Sequence, residues 1–355
     1  MNRGQDNLVF DRQKIRKPKM KQIFILLLAI FVSEMSNAQQ PNVVFIQNGG
    51  TRAGILPGVG GRIVFLSHRD DANILKSDPL LWDEDPLDRP EISAWSVWKA
   101  YNGHIVWNGP QSEWWIHQFE NQERREKKAG WPPDPYLIYG NYEVLERGDN
   151  FIRMSGPESK ISGLKLEKYV EIREDGSLLF EVEGLNIRSN PVAWDLWLNT
   201  RVDGYSYSYV KVDSKEDVRI HSGISEKSDT IPWSIEKSYF YYHPEVPSEG
   251  KSQRSSKAFI NPSDNKIHAF INNRCFSIIF PETEKERVHP EQRIVEIYDY
   301  TSETREEALM ELEYHAPYDT LNPGESMKTW QIWEIRPYEG KNKPEEHIRF
   351  LYDNF

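Results

Sequence analysis

The stretch KYVEIREDGSLLFEVE, residues 168–183, decides the fold. Val170 and Ile172 alternate with charged residues on one side of it, and Leu178, Phe180 and Val182 alternate with Leu179, Glu181 and Glu183 on the other. A period of two is that of a strand with one buried face. Between the halves stands Asp175-Gly176, a pair that tolerates the positive φ of a tight hairpin turn. Working outward, similar runs recur: Gly61–Leu66, Tyr136–Tyr139, Tyr142–Leu145, Phe151–Met154 and Ala193–Leu198, then Ser206–Val212, Ala269–Ile271, Phe276–Phe280, Ile294–Tyr298, Met310–Tyr314 and Thr329–Ile335. Asn322-Pro323-Gly324 breaks the last two as a turn. Helical composition is confined to Glu303–Met310 and an amphipathic candidate at Ser112–Lys128. With 22 prolines and 21 glycines scattered and no fixed-period repeat, the pattern predicts an all-β chain: one large antiparallel sandwich domain spanning residues 39–355.

The N-terminus reads differently. Ile23–Val32 is an apolar run of ten residues after Lys14, Arg16, Lys17, Lys19 and Lys21, and it ends in Ser36-Asn37-Ala38. That is the layout of a secretory signal, too short to span a bilayer. Residues 1–38 are therefore expected to be removed on export, leaving a periplasmic or secreted protein with no membrane association; Met20 restarts the pattern, so 1–19 read as an over-long start. Of 44 Lys/Arg and 55 Asp/Glu, the segment holds 7 and 3, leaving 37 and 52 and a mature net charge near −15. Such a surface argues against nucleic acid, whose phosphates need cationic partners, and suits a neutral ligand such as a sugar. The single cysteine, Cys275, excludes an intrachain disulfide framework and, in the run CFSIIF, reads as a buried thiol. No metal-ligand or phosphate-loop spacing is present, so no cofactor is expected.

Seven of the 12 tryptophans fall between Trp82 and Trp131, in a stretch rich in proline, asparagine and charge that reads as long loops. Aromatic faces in loops suit the apolar faces of sugar rings, while amides and carboxylates bond the hydroxyls. In Trp194–Asn199, alternation puts Trp194, Leu196 and Leu198 on one face and Asp195, Trp197 and Asn199 on the other. The latter is a candidate sugar-contacting strip. Glu311 and Glu313 likewise share one face of MELEY.

Four blocks carry a resemblance. Gly60-Gly61-Arg62-Ile63 with Asp71-Ala72-Asn73-Ile74-Leu75 is similar to the opening hairpin of galactose-mutarotase-like domains. Asn102–Gln111 (NGHIVWNGPQ) and Trp131–Pro135 (WPPDP) resemble blocks of one branch of that superfamily, and Glu313 ahead of Leu321–Ser326 (LNPGES) resembles its ending. The resemblance implies a β-supersandwich with a sugar cleft on its concave face. It also implies a mechanism in which a glutamate takes the anomeric hydroxyl proton while a histidine protonates the ring oxygen. Glu313 matches the base, with Glu311 one pleat away as fallback. The family's histidine has no counterpart in Asn186–Asn199. His104 is the substitute acid, with His289 and His315 behind it. Arg62, Asn73, Trp107, Gln111, Trp131, Asp134, Asp195, Trp197 and Asn199 are the candidate sugar contacts. Three functions compete: a sugar-binding protein with aldose 1-epimerase-like catalysis, a non-catalytic glycan-binding or scaffold protein, and a polysaccharide-cleaving enzyme pairing Glu313 with Asp195 or Asp134.

Overall fold

The computed structural model describes residues 42–355 apart from 70, 85–88, 90, 223–227, 248–252, 303 and 305. The expected export signal lies outside the described residues. No described helix is long and apolar enough to cross a membrane.

Alternating sequence becomes two large sheets. From edge to edge the first carries β1 (Val44–Asn48), β2 (Thr51–Leu56), β3 (Arg62–His68), β4 (His104–Gly109) and β9 (Val192–Asp203). It continues through β19 (Leu309–His315), β18 (Val295–Ser302), β15 (Gln253–Ile260) and β11 (Val218–Ser222); β12 (Ser228–Asp229) joins β15 and β20 (Asp319–Leu321) joins β9. The second sheet runs β13 (Trp233–Glu236), β14 (Tyr239–Tyr242), β10 (Tyr207–Lys211), β16 (Lys266–Ile271) and β17 (Arg274–Ile279). Then come β21 (Ser326–Pro337), β8 (Leu178–Asn186), β7 (Leu164–Ile172), β6 (Phe151–Ser155) and β5 (Glu143–Arg147). Among the described strands only the β12–β15 pair is parallel. Edge strand β5 is exposed along its whole length and carries a bulge between Val144 and Glu146.

The 168–183 stretch forms the β7–β8 hairpin, with Ile172 opposite Leu178 and Gly176 at φ 82°. The core lies between the sheets. Leu196 of β9 reaches the backbone of Gly184 in β8, and His104 of β4 lies between Phe180 of β8 and Trp333 of β21. Alternation therefore turns Trp194, Leu196 and Leu198 toward the second sheet and Asp195, Trp197 and Asn199 away from it.

Among the described residues four α-helices decorate this frame: α1 (Pro79–Trp82), α2 (Gln122–Glu126), α3 (Pro135–Tyr139) and α4 (Pro344–Asn354). Helix α3 corrects the strand expected at Tyr136–Tyr139. Asp134 caps it by accepting from the Tyr136 N–H at 2.9 Å, and Pro135 supplies a preset φ at its start. The amphipathic candidate at Ser112–Lys128 shrinks to a 3-10 turn and α2, and the described part of Glu303–Met310 is a turn leading into β19. Helix α4 packs on β10 and β16, where the His347 ring stacks on Phe270 at 3.8 Å between centroids. The tryptophan-rich stretch is only partly loop surface: Trp107, Trp114 and Trp115 are buried in the main core.

Candidate functional site

The central strands of the first sheet bring candidate residues together by register. Trp107 of β4 stands opposite Trp197 of β9; Asn199 stands opposite Glu313 of β19, which stands opposite Glu296 of β18. All face away from the second sheet, with Glu311, His315 and Asp195 on the same side. The Trp107 and Trp197 rings meet edge-on at 4.9 Å, and Trp197 lies 4.7 Å from the His315 ring. Gly109 makes room at the end of β4, where a Cβ would come within 2.5 Å of both Asp195 Oδ1 and Gln292 Nε2.

Charge on this face is arranged in pairs. The Lys257 ammonium of β15 sits 2.7 Å from Glu296 Oε2 and 2.9 Å from Glu313 Oε2, and 4.7 Å over the Trp197 ring. Arg201 Nη2 binds Glu311 Oε1 at 2.6 Å. Asn199 Nδ2 donates to Glu313 Oε1 at 3.2 Å. His315 lies 3.3 Å from Asp195 through Nδ1 and 3.5 Å from Glu296 through Nε2, with Gln292 Nε2 2.8 Å from Nδ1.

These neighbours pull proton affinities apart. Burial alone would raise the Glu296 carboxyl, but Lys257 and His315 outweigh it and hold it down to about 2. Glu313 is pushed well above the usual carboxylate range by burial, against Lys257 and with the help of Glu311 and Glu296. The direction follows from the count of partners: Glu296 faces two cationic groups, whereas Glu313 shares one and lies beside two acids. Burial lowers His315, yet Glu296 and Asp195 overcome it and raise the imidazole to about 9. Environments that separate titratable neighbours in this way are the usual mark of acid and base roles.

Other candidates fall elsewhere. His104 faces the interior between the sheets, bonded through Nδ1 to Thr200 Oγ1 at 2.8 Å, so it lies across the sheet from Glu313 and cannot share a ligand with it. Arg62 is wholly buried and donates to the carbonyls of Asn102 and Ile138. Asn73 clips β3 through the Leu66 N–H and the Val64 carbonyl. Asp134 is buried against Ser159, Ser162 and the start of α3. Gln111 is exposed and donates to the Gly130 carbonyl. These four hold backbone in place. His289 packs on Tyr318, 4.9 Å between ring centroids. Trp131 stands at the rim, 47% exposed and 6.3 Å from Trp107.

Glu296, Lys257, Arg201 and Gln292 escaped sequence reading. The alternation of Val295–Tyr300 does place Glu296 on one face with Tyr298, but nothing local marks that face as the one shared with Glu313. One ligand atom each from Glu296, Glu313 and His315 lies within 4.8 Å of the others, a spacing that a divalent cation could use. The Lys257 ammonium already contacts two of the three, and a metal would have to displace it. Several buried atoms here have no hydrogen-bond partner among the described residues: Asp195 Oδ1, Asn199 Oδ1 and the indole nitrogens of Trp107 and Trp197. Groups of that kind are what sugar hydroxyls satisfy.

No curated protein matches this chain. Among solved structures, a galactose mutarotase-like protein from Lactobacillus casei aligns with a TM-score of 0.51 at 13% identity, over 83% of this chain and 100% of that one. The GalM/aldose epimerase homologue from C. elegans gives a TM-score of 0.46 at 12% identity, over 84% and 99%. At such identities the first likeness shows the fold: the chain is a galactose mutarotase-like β-sandwich. The sequence pattern described as Domain of unknown function (DUF4380) matches residues 43–336, nearly all of the described chain, and the protein belongs to that family.

Proposed function

We propose that the outward face of the first sheet binds a sugar, and that Glu296, Glu313 and His315 move protons on it in a reaction of the aldose 1-epimerase type. The observation that carries this reading is the convergence of three titratable atoms within 4.8 Å, beside the rings of Trp107 and Trp197. Ring opening needs a base at the anomeric hydroxyl and an acid at the ring oxygen. Both oxygens are bonded to one carbon, so a compact group can reach both. Glu296, ionised by Lys257 and His315, is the acceptor; His315, raised to about 9, is the proton donor, and Glu313, whose hold on a proton burial strengthens, supports it from the same strand. The role that the resemblance implies for Glu313 thus passes to its cross-strand neighbour, and His315 stands in for the histidine missing from Asn186–Asn199. The protein acts after export, as the basic and apolar segment before Ala38 supports; N-terminal sequencing of the secreted form should then begin near Gln39.

Polarimetry on freshly dissolved glucose and galactose tests the chemistry. Glu296→Gln and Glu313→Gln should each slow equilibration by about 100-fold or more while sugar affinity persists. Full rates in both variants would remove the cluster from the mechanism. A non-catalytic glycan-binding role is the second reading, favoured by the burial of Glu313 and His315, both 0% exposed. It predicts sugar binding with no change in the rate of anomer exchange.

A further inference from the structure

The rings on this face do not stop at Trp197. Trp131 lies 4.8 Å from Trp98 and 6.3 Å from Trp107; Trp107 in turn lies 4.9 Å from Trp197. Exposure falls along the series, from 47% at Trp131 to 3% at Trp107 and 2% at Trp197. The result is a continuous aromatic path from solvent to the acid–base cluster.

Trp131 is exposed but its backbone is not free. Trp115 Nε1 donates to the carbonyl of the next residue, Pro132, at 2.7 Å. Gln111 Nε2 donates to the carbonyl of the preceding residue, Gly130, at 2.6 Å. Three residues on, Asp134 is buried in its serine contacts and caps α3. A large apolar ring held half out in water, on a segment pinned from both sides, leaves apolar surface unburied that a flexible chain would fold away. Such a platform stacks well on the apolar face of a sugar ring. Its place beyond Trp107 also means that a single sugar unit seated over Trp197 leaves Trp131 uncovered.

Building on the sugar-binding reading above, we infer that the site takes the end of a neutral oligosaccharide rather than a free monosaccharide: the terminal unit at Trp197 and a following unit on Trp131 and Trp98. Neutral chains fit the surroundings, because Arg201 and Lys257 are already engaged by Glu311, Glu296 and Glu313 and offer no unpaired cation to an acidic sugar.

Calorimetric titration with cello-, malto-, laminari- and manno-oligosaccharides of increasing length, from the monosaccharide to the tetrasaccharide, tests the inference. At least one series should bind more tightly with length, and Trp131→Ala should cut the ratio of tetrasaccharide to monosaccharide affinity by about tenfold. Trp131→Phe should restore most of that ratio, which separates loss of the ring from loss of the fold. Length-independent binding by the unaltered protein, or an unchanged ratio in Trp131→Ala, overturns the outer subsite and leaves the sugar reading standing. Failure of every mono- and oligosaccharide to bind overturns both.

Discussion

Lys257 lies 2.7 Å from Glu296 and 2.9 Å from Glu313, so removing it leaves the ionised Glu296 carboxylate buried without its ammonium partner. Lys257→Met should cost about 3–5 kcal/mol in urea denaturation at neutral pH, and less in acid, where the carboxylates take protons. An unchanged midpoint would mean that the pairs do not form. His315 gives a second test. Its folded pKa is about 9 against an ordinary 6.5, so its contribution is complete below about 6.5 and is lost as pH rises through about 9. Glu313, also raised, adds a loss in the same direction beginning from its ordinary 4.5. Glu296 is the mirror case: its contribution is present above 4.5 and fades as pH falls through about 2. The urea midpoint should therefore decline into mild alkali, and His315→Asn should flatten that decline between about 6.5 and 9; equal slopes in both proteins would deny the imidazole its partners. Only part of this network was legible. MELEY announces Glu311 and Glu313 as one face, and Trp194–Asn199 announces its own strip. Lys257 and Glu296 come from strands whose order in the sheet no local pattern encodes, and His104, named from the resemblance, pairs with Thr200 and so shares the face opposite to Asn199 and Glu313.

Elements show where local chemistry overrides pattern. Pro135–Tyr139 has the apolar, aromatic composition of a strand and folds as α3 because Asp134 caps it and Pro135 starts it. Asp134 is also tied to Ser159 and to the Ser162 N–H at 3.1 Å, with no exposed surface to offer a ligand. Asp134→Ala should destabilise by about 2–4 kcal/mol, the sum of a lost cap and a stranded buried donor, and leave sugar affinity of the folded protein unchanged. The opposite result, a stable protein that has lost its ligand, would return Asp134 to the site. The β7–β8 hairpin was readable in full, because Asp175-Gly176 fixes both turn and register; a Cβ on Gly176 would meet the Gly49 carbonyl oxygen at 2.8 Å.

At the scale of the whole molecule, α4 was invisible to sequence reading. Its eleven residues have meaning only against the tyrosine and phenylalanine side chains of β10 and β16, and they lie beyond the span that the family pattern matches. Ile348 and Leu351 share a cluster with Tyr209, Phe270 and Cys275, whose thiol burial pushes up to about 12. Truncation after Lys343 should expose that cluster, and Cys275 should then react with an aromatic disulfide reagent that leaves the intact chain unmodified; equal reactivity would mean the helix is dispensable. Strand β5 is an edge of the second sheet and is exposed from Glu143 to Arg147. Its bulge breaks the ladder after Val144, and Glu143, Glu146 and Arg147 would have to be desolvated before a second chain could add a strand there. A second copy arriving at that edge would meet a broken ladder and charged side chains, which disfavours growth by strand addition there.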